Sequence, residues 1–208
     1  MKKLLILFLI ILSGFFMFGC RGAKGKEGLP QPSHSPAPTH SPAPSQSPKP
    51  TQSHEPEIIS EFSTDILDKH ENRLHNIEIA CKVLEATTVK PGEEFSFNQT
   101  IGQRTAERGY LKAAILLDED EKGYEYGGGI CQVSTTMYNS VKRAGMEILE
   151  RHNHQGEVGY IKIGEDAAVN WGSEDFRFKN TKDFEITFKA FISEDMKLHI
   201  NVLKMHNS

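Results

Sequence analysis

The placement of proline divides this chain into a part that can fold and a part that cannot. Nine of its ten prolines lie before residue 57, and four imperfect six-residue repeats run from Ser33 to Pro56. A stretch of this composition, without apolar periodicity, cannot bury enough surface to offset the entropy of the chain. We therefore predict that residues 21–57 form a disordered Pro/Ser-rich stalk and that residues 58–205 form one folded domain.

The first twenty residues have the pattern of an export signal. Two lysines precede an apolar run from Leu4 to Phe18, which is shorter than a membrane-spanning helix requires. The dipeptide Gly19-Cys20 follows, as in bacterial lipoprotein signals, whose cysteine becomes the lipidated N-terminus. We predict a lipoprotein signal peptide over residues 1–20 with lipidation at Cys20, and the alternative is an uncleaved N-terminal anchor. Either would hold the domain at the extracellular face of the cell membrane.

The charge of the chain is unevenly distributed. The first 56 residues carry six basic and two acidic side chains, so of the chain's net charge of −4 the remainder carries −8. An acidic domain lacks the basic face that nucleic acids require, so we expect no nucleic-acid partner. The remaining length, about 150 residues, suits one domain with a single core.

Hydrophobic periodicity in this domain predicts an α+β fold. Apolar residues at helical spacing indicate two main helices, one over Glu71–Glu85 and one that follows Gly129 and ends near Gly145. Alternating apolar and polar residues elsewhere indicate strands, most clearly in the C-terminal third. We therefore predict one domain with an antiparallel-rich sheet and two main helices.

The segment Gly127-Gly-Gly-Ile-Cys-Gln-Val-Ser-Thr-Thr136 is the strongest candidate for chemistry. It places Cys131 where a glycine-rich turn enters a helix, and a helix N-terminus favours the thiolate and offers N–H groups to an oxyanion. Glycines there allow close approach of a substrate to the backbone. The predicted substrate-binding residues of this segment are Gly128, Gly129, Gln132, Ser134 and Thr135. The alternative is a tight loop whose hydroxyl residues serve only capping and packing.

A cysteine nucleophile needs a base, and Arg151-His-Asn-His154 supplies two candidates. His152 or His154 could activate Cys131, Asp166 could orient the imidazole, and Arg151 could bind a substrate carboxylate. The same residues could suggest zinc, but the paired spacing of zinc ligands is missing, so we predict neither a metal nor another cofactor.

A second domain cysteine, Cys81, falls on the apolar face of the first predicted helix. There an inert buried thiol is expected. A disulfide between Cys81 and Cys131 is an alternative in an exported protein.

Five motifs in order make the chain resemble the VanW family over residues 60–203. They are Asn76-Ile-Glu-Ile-Ala80, Pro91-Gly-Glu-Glu-Phe-Ser-Phe97, the glycine-rich Cys131 segment, Glu150-Arg-His-Asn-His154 and Asp175-Phe-Arg-Phe178. The resemblance implies a bacterial envelope protein, and some family members are regarded as L,D-transpeptidases of peptidoglycan. It implies Cys131 as nucleophile and His154 as the preferred base. The family often has serine after this histidine, whereas Gln155 follows here, and His152 remains a second candidate.

Three functions follow as hypotheses from this resemblance. The first is a cysteine L,D-transpeptidase that acts on peptidoglycan stem peptides. The second is a non-catalytic envelope module, associated with glycopeptide resistance, that binds peptidoglycan or a partner. The third is a cysteine peptidase or amidase of wall peptides.

Overall fold

The computed structural model describes residues 56–116 and 122–205 of the chain. The predicted signal peptide, the lipidation site Cys20 and the stalk up to residue 55 lie outside the described residues. Across the two described ranges, no helix is both long and apolar enough to cross a membrane.

The described residues form an α+β domain, as predicted. The strands are β1 (Glu57–Asp65), β2 (Thr88–Val89), β3 (Glu94–Ser96), β4 (Lys112–Leu116), β5 (Lys122–Tyr126), β6 (Glu147–Glu150), β7 (Arg177–Lys179), β8 (Ile186–Ile192) and β9 (Lys197–Lys204). The helices are α1 (Glu71–Glu85), α2 (Phe97–Ile101) and α3 (Ile130–Arg143), with one 3₁₀ turn at Ala106–Arg108.

All strand pairing between these elements is antiparallel. The largest sheet has four strands in the order β1-β9-β8-β2, and a second sheet has three in the order β3-β7-β6. Strands β4 and β5 form a separate hairpin, which leads directly into the glycine turn before α3. The hairpin therefore delivers Cys131 to the start of its helix.

The core lies between the four-stranded sheet and the two long helices. Helix α1 packs against β8, helix α3 packs against β1 and β9, and the helices also contact each other. An aromatic cluster extends this core to the smaller sheet, since Phe95 stacks on Phe178 with ring centroids 5.0 Å apart and lies 6.0 Å from Phe188 of β8. Both sheets thus share one apolar interior, which holds α3 rigidly in place.

The two long helices agree closely with the periodicity of the sequence. Helix α1 has the predicted bounds, and α3 begins directly after Gly129, with Gly145 in the left-handed region after its end. One smaller expectation was wrong, since Glu57 belongs to β1 rather than to the stalk. Phe97 opens α2 because the Ser96 hydroxyl caps that helix by accepting from the Gln99 N–H.

Candidate active site

The turn before α3 can be built only from small residues. Gly129 is the N-cap of the helix with φ of 107°, in the left-handed region that favours glycine. A Cβ on Gly128 would lie 2.7 Å from the carbonyl of Ala113, so the turn packs directly on strand β4. Gly128 is therefore buried against the hairpin, and its predicted role in substrate binding is not supported, whereas Gly127 and Gly129 line the neighbouring pocket.

A buried asparagine holds this turn against the hairpin. The Asn76 amide donates to the carbonyls of Leu111 and Gly128 at 2.9 and 3.0 Å, and its Oδ1 accepts from the Leu111 N–H at 2.8 Å. Asn76 is completely buried on α1. Its side chain thus forms hydrogen bonds with three backbone groups of the hairpin and the glycine turn. These bonds tie helix α1 to the position of Cys131.

We expect Asn76→Ala to lower the free energy of unfolding by about 2–4 kcal/mol, because the three hydrogen bonds from its buried side chain to the backbone of Leu111 and Gly128 are lost. Denaturant unfolding followed by circular dichroism measures this. The matched control is Asn72→Ala on the same helix, whose single exposed hydrogen bond to Lys112 predicts a loss below about 1 kcal/mol. Equal losses of unfolding free energy in the two variants would contradict the stabilising role of the Asn76 hydrogen bonds.

Cys131 opens into a pocket of about 390 Å³ between α3, α1 and the segment after β6. Its side chain is half-buried, and Sγ lies 3.4 Å from the carbonyl of Val169. As the second residue of α3, it also has a backbone N–H among those without an intrahelical acceptor. The Cys131 thiol therefore lies both at the pocket and at the start of a helix.

His154 and Asp166 lie behind the Cys131 thiol and are hydrogen-bonded to each other. We refer to Cys131, His154 and Asp166 together as the relay. Nδ1 of His154 lies 2.7 Å from Oδ2 of Asp166, and His154 and Cys131 line the same pocket, close enough for each to shift the pKa of the other. The backbone N–H of His154 donates to the same carboxylate at 2.5 Å. Both side chains are largely buried, at 12% and 7% exposure, so the relay is shielded from water on all but the pocket side.

The environment of this relay favours a thiolate–imidazolium pair. Burial opposes ionisation of Cys131, but the hydrogen bond and charge of His154 outweigh it, with help from Arg104, and lower the pKa of the thiol. Burial likewise opposes the charged His154, but Cys131 and Asp166 outweigh it and raise the pKa of the imidazole. The pKa of Asp166 is lowered because hydrogen bonds from His154 outweigh its burial. A thiolate is the reactive form of cysteine, so the site is primed as a nucleophile.

The two domain cysteines should differ sharply in reactivity. Both are free thiols; Cys81 is buried on α1, where burial followed by the charges of Glu85 and Glu78 raises the thiol pKa to about 12. We expect iodoacetamide to alkylate Cys131 at neutral pH in the native protein and Cys81 only after unfolding.

The pH dependence of that reaction tests the relay. Because the pKa of Cys131 is lowered, its reactivity should persist below the range of an ordinary thiol and disappear only on further acidification. His154→Ala leaves burial unopposed by the imidazole, so the alkylation curve should move to higher pH. Peptide mass spectrometry across a pH series measures it, and identical curves for wild type and variant would refute the thiolate–imidazolium pair.

Two further residues of the predicted site, His152 and Arg151, do not line the Cys131 pocket. His152 Nε2 instead bonds Glu150 Oε1 at 3.0 Å. Arg151 donates to the carbonyl of Asp166 at 2.5 Å and to its Oδ1 at 3.3 Å, and stacks over Tyr138. Arg151 therefore positions Asp166 and is not available to a substrate carboxylate.

Three polar residues on α3 serve the fold instead of lining an open groove. Ser134 and Thr135 are fully buried, and both hydroxyls bond the backbone of Ala167, because the segment that carries Asp166 covers this face of the helix. Gln132 borders the pocket, but its amide nitrogen is bound to Thr64 and Asp65. The expected hydrogen bond from Gln132 to an oxyanion is thus not available.

Two pocket residues had no signal in the sequence. Arg73 lies on the partly polar side of α1, and Tyr160 lies in a segment without periodicity. Burial, reinforced by the negative charge on Cys131, raises the pKa of the Tyr160 hydroxyl, which stays protonated as a hydrogen-bond donor. No group of three or more His, Cys, Asp or Glu residues in the described ranges is arranged to hold a metal ion.

Fold and site together define an α+β domain with a cysteine at a helix start, beside a buried His–Asp pair. Comparison with known proteins identifies the group to which it belongs. The family model described as VanW like protein matches residues 72–203, and the chain belongs to this family.

Two curated relatives match the same region. The chain is 41% identical over 132 residues to an uncharacterized protein, YoaR, of Bacillus subtilis (strain 168), covering 64% of this chain and 43% of the relative. It is 27% identical over 131 residues to the vancomycin B-type resistance protein VanW of Enterococcus faecalis (strain ATCC 700802 / V583), covering 60% and 46%. The chain thus spans less than half the length of these relatives. No solved structure matches it.

Proposed function

We propose that this domain is a cysteine acyltransferase of the bacterial cell envelope that acts as an L,D-transpeptidase on peptidoglycan stem peptides. The observation that carries the proposal is the placement of Cys131 and His154 in the wall of one pocket, with Nδ1 of His154 held 2.7 Å from Oδ2 of Asp166. A buried relay of this kind has no evident role in packing, and it matches the nucleophile, base and orienting group of cysteine acyl transfer.

In the first half-reaction, the Cys131 thiolate attacks the carbonyl after the third, L-configured residue of a donor stem peptide. The Cys131 N–H at the helix start supports the negative charge that develops on the carbonyl oxygen. The C–N bond to the terminal D-residue breaks, and the imidazolium of His154 gives its proton to the leaving amine. The product is a thioester on Cys131 and a free D-amino acid.

In the second half-reaction, an amine of a neighbouring stem attacks the thioester. The neutral His154 takes the proton lost by that amine, the C–S bond breaks, and the thiolate–imidazolium pair is restored. The result is a cross-link between third-position residues. Water in place of the amine gives a carboxypeptidase reaction from the same groups.

Muropeptide analysis tests this function directly. Purified protein incubated with tetrapeptide-stem muropeptides should release the terminal D-residue and form dimers linked between third-position residues. Monomeric products without dimers would indicate a peptidase or amidase, and peptidoglycan binding without any product would indicate a non-catalytic module. The similarity to a protein named for vancomycin B-type resistance supports an association with glycopeptide resistance.

We further propose that the domain is tethered to the outer face of the cell membrane through a lipid on Cys20, which would place the pocket next to the wall. We expect a fatty-acid probe to label the wild-type protein in cells and not Cys20→Ala, since only a cysteine at the cleavage site accepts the lipid. Cys81→Ala is the control and should label fully. Undiminished labelling of Cys20→Ala would contradict the lipid anchor.

A further inference from the structure

An arginine without an anionic partner lies in the wall of the pocket that holds Cys131. Of the described residues that line this pocket, Arg73 is the only lysine or arginine. Within the described part of the chain it takes part in no ion pair. The acidic lining residues, Asp68 and Glu157, are exposed and do not neutralise it. Arg73 is therefore the one pocket residue whose side chain is always positively charged, and it lies in the same wall as the proposed nucleophile.

The guanidinium of Arg73 is held in place from one side only. Its Nη2 donates to Oε1 of Gln132 at 3.0 Å. The amide nitrogen of Gln132 is in turn fixed by the Thr64 hydroxyl and the Asp65 carbonyl, at 3.0 and 2.9 Å. Gln132 is 1% exposed and bonded on both sides, so it holds the guanidinium of Arg73 in one orientation.

The remaining donors of Arg73 are not satisfied by the protein. Its Nε is buried and has no hydrogen-bond partner among the described residues. Because this Nε is enclosed by protein, the donors that can meet a ligand are the terminal nitrogens of the guanidinium, whose one hydrogen bond among the described residues is from Nη2 to Gln132. The planar fork of a guanidinium matches a carboxylate better than any other common anionic group except phosphate.

We propose that Arg73 binds the free C-terminal carboxylate of the donor peptide and so restricts the site to bonds that release a terminal residue. This rests on the proposed function, in which the leaving D-residue directly follows the carbonyl attacked by Cys131. Its carboxylate is the negative charge nearest the broken bond. Asp68 and Glu157 repel that carboxylate from the rest of the pocket, and Arg151, the other candidate, is occupied by Asp166. Arg73 is thus a specificity-determining residue.

Two tetrapeptide stems that differ only at the C-terminus test the proposal, one a free acid and one a carboxamide. Wild type should turn over the acid with the higher kcat/KM. In Arg73→Gln, kcat/KM for the acid should fall about 10- to 100-fold, the range for a lost hydrogen bond to a charged group, while the amide changes little. Arg73→Lys should retain part of the preference. Arg143→Gln, which removes an exposed charge at the other end of α3, is the matched control and should retain all of it.

Binding to the Cys131→Ala variant separates this proposal from the proposed function, because binding needs no turnover. Calorimetry should show that Cys131→Ala binds the acid stem more tightly than the amide and that added Arg73→Gln removes the difference. That result supports the proposal even if wild type releases no product from either stem. Equal binding of acid and amide, or a preference that survives Arg73→Gln, overturns it. Melting temperature verifies the fold of each variant, and the Cys131 alkylation rate verifies it also for the variants that retain Cys131. If Arg73→Gln does not fold, Arg73→Lys takes its place and should reduce the difference without removing it.

Discussion

Cys131→Ala is expected to abolish both release of the terminal D-residue and formation of dimers, while the melting temperature stays nearly unchanged. The chemistry is lost because Cys131 is the only thiol among the described residues that line the pocket. The fold is retained because the Cys131 side chain borders the pocket and only partly contacts the core. Chromatography of muropeptide products and thermal unfolding by circular dichroism measure the two effects.

Cys131→Ser is the informative companion of this variant. A hydroxyl has nearly the same size but is a far weaker nucleophile at neutral pH, so only traces of product are expected. Full activity in Cys131→Ala would refute the cysteine mechanism. A large drop in its melting temperature would show that the thiol belongs to the core rather than to the pocket.

His154→Ala is expected to slow turnover of the stem peptide by about 10²–10⁴-fold, the usual contribution of a general base. The loss has two parts, because the imidazole both raises the thiolate fraction of Cys131 and protonates the leaving amine. Initial rates of D-residue release, measured at saturating and at low peptide, report kcat and kcat/KM separately.

His152→Ala is the matched control, two residues away in the same segment. Its imidazole bonds Glu150 and not the sulfur, so turnover should remain close to wild type. A comparable loss in His152→Ala, with none in His154→Ala, would assign the base to His152. If neither substitution slows the reaction, the Cys–His mechanism fails even if Cys131 is essential.

The secondary structure around the nucleophile could be predicted because it depends on local signals. The apolar stripe of α3 and the three glycines before it mark a helix start at Cys131, whatever surrounds it. The bounds of α1 follow from the same periodicity. Strand β1 had no such signal, since its pairing with β9 is set by a partner more than a hundred residues away.

The roles of the polar residues could not be read in the same way. Ser134 and Thr135 follow Cys131 on its helix, and the sequence does not show that residues 165–169 cover them. His152 and His154 are the same residue type in one short segment, so residue type alone does not show which of them lies beside Cys131. In the structure, His152 bonds Glu150, whereas His154 bonds Asp166 and lines the Cys131 pocket.

By itself, the sequence determined the domain's α+β class, its family and the cysteine at a helix start, because periodicity, glycine placement and an ordered set of motifs are properties of the chain read along its length. The tertiary structure alone decided which histidine lies at the pocket with Cys131, that Arg151 is bound to Asp166, and that Arg73 lines the pocket without an ion pair among the described residues. These depend on contacts between residues far apart in sequence. Burial and charge at such contacts follow from packing, which no local pattern encodes.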